Sequence, residues 1–273
     1  MSEADFDRVR REPDPLVRAR AATELLAVYQ QRGVELARLR RVAVDQAAER
    51  GMPLKAIAAQ IGVSKGRISQ IRQSGPPAER VLFGIGPVTV AIPTRQITGR
   101  DLPMISSEDA AAADRVTAHL VELGFLVEQY RIPADGRWTP TGDVIAVCGP
   151  KSSPVIAEAL TADPYLRFVA DDRGRFGITD QVTGTRYLSA MDDVDPAPRD
   201  VAYVGRLPYD GGTMLVVAGV HAIGSLGAVD HLCTHAAEIY RVVGDGLWSG
   251  VIASTNDAGA VTGSEVVCPV RRH

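Results

Sequence analysis

No run of this sequence approaches the roughly 20 apolar residues that a membrane-spanning helix needs. The amino-terminal stretch MSEADFDRVRREPD is charged and lacks the apolar core of a secretory signal. Both absences lead to the expectation of a cytoplasmic protein with no membrane partner. Cysteine is scarce as well: Cys148, Cys233 and Cys268 are odd in number and far apart, which argues against a disulfide framework or a paired CxxC motif and leaves buried reduced thiols. Lysine occurs only at Lys55, Lys65 and Lys151, and arginine carries the remaining basic charge. The Walker pattern GxxxxGK[ST] and the dinucleotide pattern GxGxxG are both missing. No internal repeat or low-complexity tract is present.

What is there is a 273-residue chain, 45% hydrophobic, long enough for more than one domain and a sizeable core. Its net charge of −3 is unevenly divided. Residues 1–75 carry 14 Lys and Arg against nine Asp and Glu, a net +5, and the remainder carries 16 against 24, a net −8. A basic amino-terminal part is the electrostatic footprint of a nucleic-acid partner. An excess of +5 is weak for one copy alone, because phosphate neutralisation supplies much of the affinity, so an even-numbered homo-oligomer is expected.

Residues 54–73, LKAIAAQIGVSKGRISQIRQ, are the most informative stretch. Leu54, Ile57, Ala58 and Ile61, then Gly62-Val63-Ser64, then Ile68 and Ile71 suit two short helices joined by a tight turn and sharing one small core. Ala58 is small where the helices cross, Gly62 tolerates a positive φ, and Ser64 is a good N-cap. Ser64, Lys65, Gly66, Arg67, Ser69, Gln70, Arg72 and Gln73 are then left on the exposed side of the second helix, with donors and acceptors suited to phosphates and major-groove base edges. The segment 34–73 resembles the helix-turn-helix of bacterial transcriptional regulators and of region 4 of sigma factors. That resemblance implies double-stranded DNA as a partner, with RNA polymerase as a further candidate. The competing reading is an αα-hairpin whose polar face is merely solvated.

Upstream, residues 16–31 and 34–50 show apolar residues at three- and four-residue spacing and predict two amphipathic helices separated at Gly33. Ser74-Gly75-Pro76-Pro77 ends the helical part, because proline neither continues a helix nor favours one in the residue before it. The expected organisation is a helical DNA-binding domain at 1–75, a linker at 76–79, and a second domain at 80–273. In the second domain strands are expected near 80–83, 87–93, 125–131, 143–148, 201–205, 214–220, 248–254 and 264–270. Helices are expected near 107–123, 153–162 and 224–242, and the Asp-Arg-Gly and Thr-Gly turn signals between 165 and 190 predict inserted β-hairpins. The fold class is therefore α plus α/β: a helical head followed by a Rossmann-like domain with a β-hairpin insertion.

Two expected strands run into glycine-bearing loops that lead into helices. The first loop holds Gly149, Lys151, Ser152 and Ser153, and the second holds Gly219, His221, Gly224, Ser225 and Gly227. Ligands of open α/β sheets sit beyond the carboxyl ends of strands, where helix N-termini favour anions. Both loops are candidates for binding a small anionic, nucleotide-like effector, and the competing reading is that these glycines only permit tight turns. The stretch 84–228, with GIGPVTVAIP, DVIAVCGPKSSP, GRLP and AGVHAIGSLGA, resembles Rossmannoid nucleotide-sensing domains, including the group related to lysine-decarboxylase-like phosphoribohydrolases. Those hydrolases use a PGGxGTxxE loop with a catalytic glutamate. Here the matching stretch AGVHAIGSLGAVD offers only Asp230, so no catalytic residue is assigned.

His231 and His235 share a helix face with Cys233 nearby, but HxxxH without a third ligand is a weak zinc signal and no metal site is assigned. Arg95, Glu108, Arg206, Asn256 and Glu265 are further candidate lining residues, because they follow or begin expected strands and helices, and the competing reading for some of them is a simple surface charge. Together these readings predict a DNA-binding transcriptional regulator whose second domain oligomerises and senses a small anion, with no bound cofactor. The alternatives are a nucleotide or nucleoside hydrolase with a DNA-binding appendage and a non-sensing adaptor on DNA.

Overall fold

Asp14 and Pro15 start the longest element of the chain. The Oδ1 of Asp14 accepts the N–H groups of Leu16 (2.8 Å) and Val17 (3.0 Å), and Pro15 occupies the first helical position, where its missing N–H costs nothing. In the computed structural model, which describes residues 3–96, 102–172 and 174–273, a short helix α1 (Glu3–Arg11) leads into the single helix α2 (Pro15–Glu49). Phe6 of α1 lies against Tyr29 of α2, with ring centroids 5.1 Å apart. The expected break at Gly33 does not occur. One glycine in a helix costs about 0.5–1 kcal/mol, and buried residues on both sides of Gly33, namely Gln31, Glu35 and Arg38, hold α2 to one neighbour. Arg38 donates to Glu35 (2.8 Å) and to Asp245 (2.8 Å), and its other arm donates to the Ala78 carbonyl (3.2 Å).

Two short helices follow, α3 (Leu54–Gln60) and α4 (Lys65–Ser74). Ile57, Ala58, Ile68 and Ile71 close with Val44 of α2 into a small separate core. Ile61, expected in that core, is 46% exposed: it lies at the last turn of α3, past the crossing that Ala58 makes. Residues 78–83 form a 3-10 turn (Ala78–Phe83) rather than the expected strand. Arg80 shapes this turn by donating to the Gln31 side chain (2.7 Å) and to the carbonyls of Leu123 (3.2 Å) and Ile85 (3.1 Å) while stacking on Phe125.

The remainder is built on a seven-stranded mixed sheet. In chain order come β1 (Val88–Pro93), the two-residue strands β2 (Arg95–Gln96) and β3 (Pro103–Met104), α5 (Ser107–Glu122), β4 (Val127–Ile132), β5 (Gly142–Val147) and α6 (Pro154–Thr161). Then follow β6 (Leu166–Ala170), β7 (Phe176–Asp180), β8 (Arg186–Leu188), β9 (Arg199–Tyr209), β10 (Gly212–Gly219), α7 (Ala222–Val243), β11 (Trp248–Asp257) and β12 (Ala260–Arg272). The sheet order is β12-β11-β9-β10-β5-β1-β4. The pairs among β4, β1, β5 and β10 are parallel, and those among β10, β9, β11 and β12 are antiparallel.

Alternation along the strands divides the core in two. Val88, Val90, Ile145, Val147, Leu215 and Val217 face α5 and α7, whereas Ala91, Val144, Ala146, Met214, Val216 and Ala218 face α6 and a small second sheet. That second sheet is the antiparallel trio β6-β7-β8, where hairpins were expected; its Asp-Arg-Gly turn includes Arg173, which lies outside the described residues. No described helix is long and apolar enough to cross a membrane.

Candidate functional sites

The first candidate surface is the outer face of α4. Its apolar side, Ile68 and Ile71, is buried, and the Ser64 Oγ caps the helix by accepting the Arg67 N–H (3.1 Å). Gly62 takes φ +71°, so the chain reverses there with no Cβ penalty. Lys65, Arg67, Gln70, Arg72 and Gln73 are exposed, and Ser69 is half-buried with its hydroxyl directed to the Lys65 carbonyl (3.4 Å). The Arg67 guanidinium donates to the Gln70 amide oxygen at 2.5 Å, which sets the two side chains side by side. Arg72 behaves differently: its Nε donates to Asp45 of α2 (2.6 Å), which ties it to the helix behind. A shallow depression of about 430 Å³ between α2 and α4 is lined by Ser69, Arg72 and Gln73 together with Arg41, Asp45, Glu49 and Leu54.

The second candidate is a cavity of about 380 Å³ at the carboxyl ends of all four parallel strands. Pro93 and Thr94 after β1, Pro133 after β4, Cys148 and Gly149 after β5, and Gly219 at the end of β10 form its floor. Phe168 of β6 and Phe176 of β7 also line it, so the inserted small sheet contributes to the cavity wall. Of the nine loop residues expected to line a ligand site, the fold brings six together here: Gly149, Lys151, Ser152, Gly219, His221 and Ser225.

The other three have local roles. Ser153 is buried, donates to the Gly136 carbonyl (3.0 Å) and caps α6. Gly224 faces Asp200, where a Cβ would come within 2.2 Å of the carboxylate, and Gly227 faces Ser254, where a Cβ would meet the side chain at 2.3 Å. Both glycines permit close packing of α7 on β9 and β11 and do not line the cavity.

Asp200 also alters the electrostatics expected at α7. Its Oδ2 accepts the N–H groups of His221 (2.9 Å) and Gly224 (3.1 Å), so the partial positive charge of that helix end meets an internal carboxyl group. Burial raises the Asp200 pKa above the usual carboxylate range. Charge for an outside anion therefore has to come from side chains. Lys151 stands with its ammonium 3.7 Å from the centre of the Phe176 ring, and Arg95 reaches Asp109 at 3.4 Å. Asp109, at the start of α5, is buried in the cavity wall, and burial raises its pKa. His221 pairs through Nε2 with Asp192 (3.0 Å). Burial pushes the Cys148 thiol up to about 12, so it stays protonated at neutral pH.

The remaining sequence candidates lie elsewhere. Arg206 donates to the Asp245 carbonyl (3.0 Å) at the opposite end of the sheet, and Glu265 pairs with Arg199 (2.6 Å). Asn256 donates to the Pro198 carbonyl (3.2 Å), and Glu108 accepts from Ser107 (3.1 Å). Asp230 pairs with Arg115 of α5 (3.1 Å), away from the cavity lining. His231 and His235 stack at 4.3 Å, with their Nδ1 atoms directed to Ser264 and to the His231 carbonyl. Among the described residues no group of three or more His, Cys, Asp or Glu is placed to hold a metal ion. Asp109, Asp192, Asp200, Phe168 and Phe176 were not singled out from sequence, since each acts on residues distant in the chain. No protein-family model matches the chain, and no curated protein matches it.

Proposed function

We propose that the protein is a DNA-binding transcriptional regulator in which α2, α3 and α4 form a helix-turn-helix head and the Rossmann-like domain senses a small anionic, nucleotide-like ligand. The observation that carries the DNA half is the outer face of α4. Basic and amide side chains at Lys65, Arg67, Gln70 and Gln73 stand exposed on a short capped helix whose inner face is locked by Ile68 and Ile71. In this reading Arg67 and Gln70 read base edges as a pair and Arg72, braced by Asp45, sits over the backbone. No acidic residue occurs between Arg50 and Ala78, so the acidic groups next to α4 are Asp45 and Glu49 of α2, and Asp45 is paired with Arg72.

The ligand half rests on the cavity. Its volume lies within the roughly 300–1,000 Å³ usual for small-molecule sites, and Lys151 and Arg95 are basic groups at its wall. Helix α2 runs from the head onto the end of the sheet opposite the cavity, and a ligand that binds one arrangement of two heads better than another shifts the balance between them. Homo-oligomerisation through the sheet domain completes the reading, because two weakly basic heads bind DNA more firmly than one.

Mobility shifts on fragments from upstream of the protein's own gene test the DNA half. Wild type is expected to retard a discrete fragment, and Arg67→Ala and Gln70→Ala are each expected to weaken that complex by about 1–3 kcal/mol. No retardation of any fragment by wild type would leave only the solvated-hairpin reading, and equal retardation of every fragment by all three proteins would remove Arg67 and Gln70 from any base readout. For the cavity, thermal shifts with nucleoside monophosphates and inorganic phosphate test binding, and recovery of the nucleotide intact after incubation separates sensing from hydrolysis.

A further inference from the structure

One face of the head bears neither the proposed DNA contacts nor the sheet domain. Leu36 and Leu39 of α2 are 67% and 42% exposed, and Ile61 at the end of α3 is 46% exposed. A groove of about 170 Å³ between α2 and α3 has Arg40, Ala43, Ala47, Met52 and Ile61 in its lining. At 100° per residue, Leu36, Leu39, Ala43 and Ala47 fall within about 80° of one another on α2, opposite Arg38, which faces the sheet domain, with Leu39 one turn after Glu35 at the edge nearest that domain.

The charge around this stripe has one sign. Arg32 and Arg50 lie at its two ends and Arg40 at its side, all exposed. The acidic residues at this end of α2, Asp45 and Glu49, lie on the other side, where they line the depression next to α4. An apolar stripe with arginines along its edges is complementary to a helix with leucine-type anchors at i, i+3, i+4 and i+7 and carboxylates beside them. A second copy of this chain fits poorly, since a two-fold axis at Leu36 would set Arg32 and Arg40 against the same residues of the other copy. Duplex DNA supplies the carboxylates' charge but nothing to cover Leu36, Leu39 and Ile61.

We propose that the groove between α2 and α3, with the Leu36–Leu39 stripe, docks an acidic amphipathic helix of another protein. This surface is separate from the α4 face, so both can be occupied at once.

The test uses the full chain and two labelled helical peptides in fluorescence anisotropy. One carries leucines at i, i+3, i+4 and i+7 with glutamates on the flanks, and the other has lysine in place of every glutamate. The acidic peptide is expected to bind saturably and the lysine peptide not to. Leu36→Asp is expected to abolish acidic-peptide binding while the variant still retards DNA as wild type does. Arg40→Glu is expected to weaken acidic-peptide binding about tenfold or more. Both positions are exposed, and far-ultraviolet circular dichroism with a melting curve confirms that each variant is folded. Failure of the acidic peptide to bind, equal binding of both peptides, or unaltered binding by Leu36→Asp would overturn the proposal. So would a shift from dimer to monomer in Leu36→Asp by light scattering, which would make this face a contact between copies, or loss of DNA binding in Leu36→Asp, which would make it part of the DNA surface.

Discussion

Asp200 is the residue on which the cavity's geometry turns. One buried carboxylate oxygen holds the backbone of His221 and, at Gly224, the first turn of α7, 21 and 24 positions away in sequence. Asp200→Ala leaves the half-buried His221 N–H without its acceptor and the Gly224 N–H with only the His221 carbonyl (3.2 Å), and is expected to cost about 1–3 kcal/mol; urea denaturation measures it, and a loss within experimental error would show that the two groups find other partners. Gly224→Val pushes a side chain into the same carboxylate and is expected to destabilise the fold as well, with a lowered melting temperature as readout. Asp109 and Asp200 both have pKa values raised by burial. Each binds its proton more tightly in the folded chain, so each favours folding in acid, and that contribution is lost as pH rises from the ordinary carboxylate range through the raised value. Asp109→Asn is therefore expected to gain stability relative to wild type as pH rises towards neutrality. Urea midpoints that stay parallel across that range would contradict the assignment.

Helix α2 runs unbroken through a residue that its sequence marks as a boundary. Its amphipathic periodicity was legible on both sides of Gly33, but the glycine suggested a break, because nothing local reveals that Gln31, Glu35 and Arg38 will be buried against residues such as Gly124, Ala78 and Asp245. Since a Cβ at Gly33 would meet nothing within 4 Å, Gly33→Ala is expected to stabilise the protein by about 0.5–1 kcal/mol. A loss of stability in thermal melts would point instead to a bend. Val81-Leu82-Phe83 read as a strand for the same reason: an apolar run signals burial but not the shape that buries it, and it was Arg80 reaching three acceptors that settled on a turn. The central strands, by contrast, announced themselves, since DVIAVC and TMLVVAGV are near-continuous apolar runs covered on both faces. In the loops, six of nine expected lining residues were legible because glycine and polar residues follow strand ends. Gly224 and Gly227 misled because a glycine that lets two elements touch looks the same in sequence as one that admits a ligand.

Across the whole molecule, the head and the cavity lie at opposite ends of the sheet. Helix α2 meets the chain at Gly124 before β4, at Gly86 before β1 and at Asp245 before β11, whereas the cavity opens at the carboxyl ends of β1, β4, β5 and β10. Strands of about six residues separate the two ends by roughly 20 Å. A ligand in the cavity touches no part of α3 or α4, so the proposed sensing has to act through the packing of the sheet domain on α2 or through contacts between copies. Light scattering of the free and ligand-saturated protein is expected to show an even-numbered oligomer. A monomer at micromolar concentration with and without DNA would exclude paired heads. The most direct test of the central claim is selection of bound duplexes from a random-sequence pool by the purified full chain, run in parallel with Arg67→Ala. The account predicts one enriched motif for wild type, arranged as two half-sites, with altered preference at one or two positions of each half-site for the variant. Recovery of an unenriched pool by wild type, or of the same motif at the same strength by Arg67→Ala, would contradict it.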